Sequence, residues 1–275
     1  MKNKILLIFS IFIGKITYIG LQILGKQGTA LPGKIAIKLY PNILEDLGKK
    51  CDKILVITGT NGKTTTNNLI NHILNGKYKN VVSNLKGANM IQGVITSFIV
   101  NNKNSYDWGV FEVDEGSIPN VLKYIQPNYM ILTNFFRDQL DRYGEVDNTV
   151  KLVYDSINTL NKKIEKEKLT KINESDLTTL IMNTDDPLNM KFNDLPNKKI
   201  HYGVNENNFS KKELNVAEAI FCVNCGHRLE YDYINYGNIG KYKCEKCGLE
   251  RTDLEYFVDS IDIKDNNYIF NVSIN

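Results

Sequence analysis

The sequence predicts an α/β protein, built on a mostly parallel sheet with helices on both faces and carrying a small cysteine-bearing insertion. Three observations lead there. From Ile54 onward, short and continuously apolar runs alternate with helical stretches, the pattern of strands covered on both sides. The first of these runs opens directly into a glycine-bearing turn that starts a helix. Far downstream, four cysteines fall into two tight pairs at metal-ligand spacing.

In chain order, residues 1–50 form an N-terminal helical segment. Ile5–Ile13 (ILLIFSIFI) follows Lys2 and Lys4 as a signal peptide would, but no small-x-small cleavage site comes after it. The run breaks at Lys15, short of the roughly 20 residues that cross a bilayer. It resumes through Ile19, Leu21, Ile23 and Leu24. The preferred reading is an apolar helix docked on the domain; the alternative is a helix resting on a membrane surface. Thr29–Gly33 (TALPG) is a turn that closes the segment.

A second unit is expected over residues 51–275. Its strands are Ile54–Thr58, Val81–Ser83, Trp108–Val113, Tyr129–Thr133 and Thr179–Met182. Between them lie helices Thr65–Asn75, Met90–Val100, Ser117–Ile125 and Asn148–Leu160, with Ser117 as N-cap and Pro119 in the first turn of the third. Asn161–Asp176 is charge-rich and reads as a solvated helix end and loop. Residues 221–250 interrupt the rhythm as an insertion with its own small fold. Tyr256–Ile263 and Tyr268–Ile274 then form two strands joined at Lys264–Asn267.

Composition excludes more than it assigns. The chain has 275 residues, 42% hydrophobic and 24% charged, which is ordinary for a globular protein and rules out collagenous or wholly disordered chains. Its net charge of +3 is not gathered into a basic block, so no nucleic-acid partner is expected. Five cysteines, four of them paired as C-x-x-C, fit a metal site in a reducing compartment better than a disulfide framework. Cys51 stands alone and reads as a buried or inert thiol.

The chemistry begins at Gly59-Thr60-Asn61-Gly62-Lys63-Thr64-Thr65. Strand, glycine turn, Lys-Thr and helix make up a phosphate-binding loop: backbone amides approach the oxygens, and the helix N-terminus adds a favourable dipole. Lys63 would reach the terminal phosphates of ATP, and the Thr64 hydroxyl would ligate Mg²⁺. The generic pattern has a glycine where Ile57 stands, so this is a shortened variant.

Thr58–Thr66 (TGTNGKTTT) closely resembles the Mur ligase family, which includes the folylpolyglutamate synthases. Three further motifs follow in the family's order: Phe111–Glu115 (FEVDE), Thr133–Asp141 (TNFFRDQLD) and Asn183–Pro187 (NTDDP). The resemblance implies the family's central ATP-binding domain, with Glu112 as a second Mg²⁺ ligand and Asn183 beside the adenine. For Glu112 the alternative is a solvated carboxylate at a strand end, and for Asn183 it is turn chemistry in an Asn/Asp/Pro cluster. Asp114 and Glu115 are further carboxylates that would orient water or substrate. The sequence departs from the family at Gln139, which stands where a metal-ligating His is usual, and at Asp114-Glu115, which stand where the family has two serines.

These departures, with the TALPG turn, Arg137–Glu145 (RDQLDRYGE) and the four cysteines, resemble one branch of the family. Its members are synthetase subunits that pair with a GatD-like glutaminase. The resemblance then implies ATP-dependent amidation of the D-glutamate α-carboxylate of lipid II, or a related muropeptide, through an acyl phosphate with ammonia from the partner. It implies work in the cytoplasm, with the inner face of the membrane as the alternative place. The family's C-terminal domain would not fit before Asn275, so the sequence reads as an N-terminal fragment. The alternatives are an amino-acid-adding ligase, or a non-catalytic nucleotide- or nucleic-acid-binding module.

That last alternative rests on Cys222, Cys225, Cys244 and Cys247, spaced C-x₂-C-x₁₈-C-x₂-C as in a zinc ribbon. Four thiolates would close a tetrahedron around Zn²⁺, a structural site that makes the adjacent His227 redundant. Tyr231, Tyr233 and Tyr236 between the pairs would form the ribbon's small core.

Overall fold

A computed structural model of the chain describes residues 2–84, 88–135, 145–168, 173–212, 221–265 and 267–275. The apolar amino end winds into one helix, α1 (Lys2–Ile23), followed by α2 (Leu31–Leu39) and α3 (Ile43–Gly48). Alternation then sets in: β1 (Cys51–Thr58), α4 (Lys63–Lys77), β2 (Val81–Ser83), α5 (Ile91–Asn101), β3 (Tyr106–Glu112), α6 (Ile118–Leu122) and β4 (Tyr129–Leu132). Next come α7 (Glu145–Glu167), β5 (Thr179–Asn183) and β6 (Lys199–Val204). The hairpin β7 (Glu230–Tyr236) and β8 (Ile239–Lys243) precedes β9 (Tyr256–Lys264) and β10 (Asn267–Ile274).

Eight strands form one sheet in the order β10-β9-β6-β5-β4-β1-β3-β2, and every pairing in it except β10 with β9 is parallel. Successive strand residues face opposite sides, and β1 shows how both are filled. Ile54 and Val56 join the larger core with α2, α3, α5, α6 and α7. Leu55 and Ile57 meet Val110 and Ile131 on the other face, under Ile70 and Leu74 of α4. Helices therefore cover both faces, as the continuous apolar strands require.

Boundaries moved where tertiary contacts outweigh local pattern. β1 starts at Cys51 because pairing with β3 begins at Cys51↔Tyr106, ahead of the apolar run. Helix α7 runs seven residues past Leu160, into the charged segment. Val153, Ile157, Leu160 and Ile164 are all buried at helical spacing, so Lys162, Lys163, Glu165, Lys166 and Glu167 occupy only the outer face. Ser117 is not a side-chain cap; it ends a 3-10 turn (Glu115–Ser117) whose Gly116 amide is accepted by Asp114 at 3.2 Å. Strand β6 had no expectation, since Lys199–Val204 is mostly half-buried and shows no clean alternation.

Candidate functional site

The phosphate-loop motif leaves the carboxyl end of β1. The connection after β1 leads to β2 on one side, and the connection after β3 passes back across β1 to β4 on the other. Such a switch point opens a crevice at the strand ends, where α/β proteins bind ligands. Gly62 is the N-cap of α4 and no side chain caps the helix, which leaves its first-turn amides turned toward the loop.

The loop is held from behind by the Thr133-Asn134 motif at the end of β4. Asn134 accepts the Thr60 amide on its carbonyl (2.7 Å) and the Asn61 amide on Oδ1 (3.0 Å), and its Nδ2 donates to the Asn61 carbonyl (3.1 Å). Gly59, at φ +120°, lies so close that a Cβ there would stand 2.3 Å from Thr133 Oγ1 and 2.7 Å from the Asn134 carbonyl. Glycine is required on both counts.

Lys63 Nζ donates to the Gly59 carbonyl (2.5 Å) and the Thr60 carbonyl (3.0 Å), and pairs with Glu115 Oε2 at 3.3 Å. Both partners of that pair are about nine-tenths buried. Glu112, paired in register with Ile57 at the end of β1, is 2% exposed, and its Oε2 has no hydrogen-bond partner. A buried carboxylate oxygen without a partner fits a hard cation such as Mg²⁺. Thr64 and Thr65 lie exposed in the first turn of α4.

Sequence reasoning missed Asn84. Its Oδ1 accepts the Glu112 amide (2.9 Å) and its Nδ2 donates to the Glu112 carbonyl (2.7 Å), fixing the backbone that carries the carboxylate. A lone asparagine after a short strand gives no sequence signal. Gln139 and residues 136–144 around it lie outside the described residues.

Asn183 ends β5, with β4 between it and β1, and its Oδ1 accepts the Asp185 amide (3.2 Å) in a tight turn. The aspartates that follow are buried latches. Asp186 accepts the amides of Phe135 (2.6 Å) and Leu188 (3.0 Å); its complete burial pushes it up to about 7. Asp185 pairs with Arg251 (2.9 Å) and accepts the Val204 amide (2.6 Å), yet desolvation still lifts it to about 6. Tyr242 Oη donates to the Thr184 carbonyl (3.1 Å), and the Gly240 amide to the Asp185 carbonyl (2.9 Å). This segment ties the cysteine insertion to the sheet.

In the insertion, the four sulfurs of Cys222, Cys225, Cys244 and Cys247 all lie within 4.8 Å of one another. Tetrahedral Zn–S bonds of about 2.3 Å place sulfurs about 3.8 Å apart, so the cluster fits Zn²⁺. The two halves match: the Gly226 amide donates to the Cys222 carbonyl and the Gly248 amide to the Cys244 carbonyl, each at 2.9 Å. Both glycines take positive φ, +68° and +74°. Against its own burial, the Cys247 and Lys246 amides draw the Cys244 thiol down to about 7, toward the thiolate a metal needs. Tyr233 and Tyr242 are buried in the β7–β8 hairpin, but Tyr236 is 69% exposed and is no part of that core. Cys51 is raised to about 12 by desolvation and is inert at neutral pH. A cleft of about 750 Å³ near Asp52, Asn128 and Lys198 lies at the opposite, amino ends of the strands.

The family model of the Mur ligase middle domain matches residues 57–243. Among curated relatives, the chain is 38% identical over 254 residues to the lipid II isoglutaminyl synthase (glutamine-hydrolyzing) subunit MurT of Staphylococcus aureus strain COL, covering 92% of this chain and 54% of that protein. The subunit of the same name from Streptococcus pneumoniae is 36% identical over 257 residues, again with 92% and 54% covered. The chain spans about half the length of the curated relatives it matches. Among solved structures, a pseudomurein peptide ligase type C from Methanothermus fervidus superposes with a TM-score of 0.57 at 22% identity, covering 86% of this chain and 47% of that one.

Proposed function

The chain belongs to the Mur ligase family, and from that premise we propose that it forms the ATP-binding part of a synthetase that amidates the D-glutamate α-carboxylate of lipid II. One observation carries the chemistry. A buried lysine, Lys63, is held by loop carbonyls and Glu115, while the Glu112 carboxylate, its Oε2 without a partner, stands at the end of the neighbouring strand. The names and identities of the two MurT relatives support the substrate.

A carboxylate is a poor electrophile until its oxygen becomes a leaving group, so the γ-phosphoryl of ATP is transferred to it and ammonia then displaces phosphate. Phosphoryl transfer needs positioning and neutralised charge more than covalent help. In this reading the loop amides from Gly59 to Thr65 grip the phosphates, and Lys63 leaves its carbonyl partners to neutralise the terminal oxygens. Glu115, paired with Lys63 at 3.3 Å, aims the lysine. Thr64 and Glu112 would hold Mg²⁺, which supplies positive charge to the phosphate oxygens. Asn183 offers its Nδ2 to the adenine. Cys222, Cys225, Cys244 and Cys247 would hold structural Zn²⁺. Ammonia comes from a GatD-like glutaminase, and the reaction takes place in the cytoplasm.

The test is ATP hydrolysis by the chain together with a GatD-like glutaminase and lipid II. Hydrolysis that rises with ammonia or glutamine, and vanishes in Glu112→Gln, is the expected result. Hydrolysis that answers to an added amino acid and ignores ammonia would show an amino-acid-adding ligase instead.

A further inference from the structure

Helix α1 is inside out for a docked helix. It packs on α2 and α5 through its smallest side chains: Ser10 and Gly14 are buried, flanked by the half-buried Leu7 and Ile11. A Cβ on Gly14 would sit 2.7 Å from Ile99 Cδ1, so the approach is close. The opposite stripe holds the large residues. Ile5, Phe9, Phe12, Ile16, Ile19 and Ile23 recur at i, i+4, i+7, i+11, i+14 and i+18, and are 49–80% exposed. At 3.6 residues per turn they fall within an arc of about 100° facing away from the protein. Lys4, Lys15 and Gln22, all exposed, run along one flank of that arc.

Charge identifies what covers the ridge. Residues 1–44 contain six lysines and no Asp or Glu, so the rest of the chain is net −3 against a total of +3. Among the described residues, Lys4, Lys15, Lys26, Lys34 and Lys38 form no ion pair. The cores of protein interfaces are depleted of lysine, whereas an apolar helix face bordered by lysines suits an anionic lipid surface.

We propose that α1 lies in the plane of an anionic phospholipid surface, its ridge from Ile5 to Ile23 sunk into the acyl boundary and its lysines among the headgroups. Against the expectation of a run too short to span, the helix continues unbroken through Lys15, so the stretch Lys4–Ile23 is long and apolar enough to cross a bilayer, and 11% of it is buried. Crossing, however, would tear the Ser10–Gly14 face from α2 and α5 and carry Lys15 into hydrocarbon, at a cost of several kcal/mol avoided by lying flat. The other side of the same helix lines a crevice beside the site. A crevice of about 150 Å³ lined by Tyr18, Gln27, Thr29, Ser83 and Asn84 joins the end of α1 to the asparagine that fixes Glu112. The inference stands whichever carboxylate the site activates.

The experiment is flotation of the 275-residue chain with vesicles of phosphatidylcholine alone and of phosphatidylcholine with phosphatidylglycerol. The chain should float with the mixed vesicles and be weakened by molar salt. Phe12→Gln with Ile16→Gln should lower partition at least about tenfold, and Lys4→Gln with Lys15→Gln about fivefold per lysine. Circular dichroism and MgATP binding of each variant should match the parent, showing that the fold persists. Failure of the parent to float, or flotation unchanged in the ridge variant, would overturn the proposal. So would retention on vesicles through alkaline carbonate extraction, which indicates a spanning helix. Loss of a homodimer in the ridge variant, without vesicle binding by the parent, would assign the face to a second copy.

Discussion

Gly59 shows how tightly single residues are specified at the phosphate loop. Its positive φ and the closeness of Thr133 Oγ1 and the Asn134 carbonyl leave no room for a Cβ. Gly59→Ala should therefore push the loop off its asparagine clamp and weaken MgATP binding at least about tenfold, a loss of about 1.4 kcal/mol, with isothermal calorimetry as the check. Asp186 gives the pH dependence. Its burial holds it at about 7 in the folded protein, against about 3.9 unfolded. A raised carboxyl adds stability that is fully present below the unfolded value and is lost as pH rises through the folded one. Stability to urea should thus fall between pH 4 and pH 7 for the parent, and fall less for Asp186→Asn. The glycines and Lys63 were expected from the local spacing of the loop, and Glu112 only from the resemblance of its motif to the family's. Asn84 and the clamp made by Asn134 were not, because an asparagine bonding to backbone 28 or 73 residues away leaves no period in the chain.

At the scale of elements, the cysteine insertion is the part whose attachment could not be read in advance. The pairs and their spacing announce the ribbon, but nothing local announces that Arg251 reaches Asp185. That pair is buried, at 10% and 1% exposure, so breaking it leaves a charge uncompensated. Arg251→Ala should cost about 3 kcal/mol in chemical unfolding, and Arg251→Met with Asp185→Leu should cost less than the single change. Metal removal acts on the same element. Chelation, or Cys244→Ser, should release zinc measured by plasma mass spectrometry, and should lower the melting temperature of the chain. Stoichiometric zinc and an unchanged melting temperature in Cys244→Ser would contradict a four-thiolate site. Helix ends were the least legible elements. The charged tail of α7 read as a solvated helix end and loop because, among its described apolar residues beyond Leu160, only Ile164 carries the buried stripe forward.

For the whole molecule, the alternation of apolar runs with helices was enough to foresee the sheet and its two covered faces. The strand order was not foreseeable, since which parallel neighbours pair depends on crossovers that local pattern does not encode. That order matters most, because it places the loop after β1 at a switch point with the ends of β3 and β4 on either side. Everything chemical in the account follows from a triphosphate gripped in that crevice and neutralised by Lys63. Calorimetric titration of the chain with MgATP measures this directly. Saturable heat in the parent that disappears in Lys63→Ala, while persisting in Cys51→Ser, is the predicted result; no heat in the parent, or the same heat in Lys63→Ala, would contradict it.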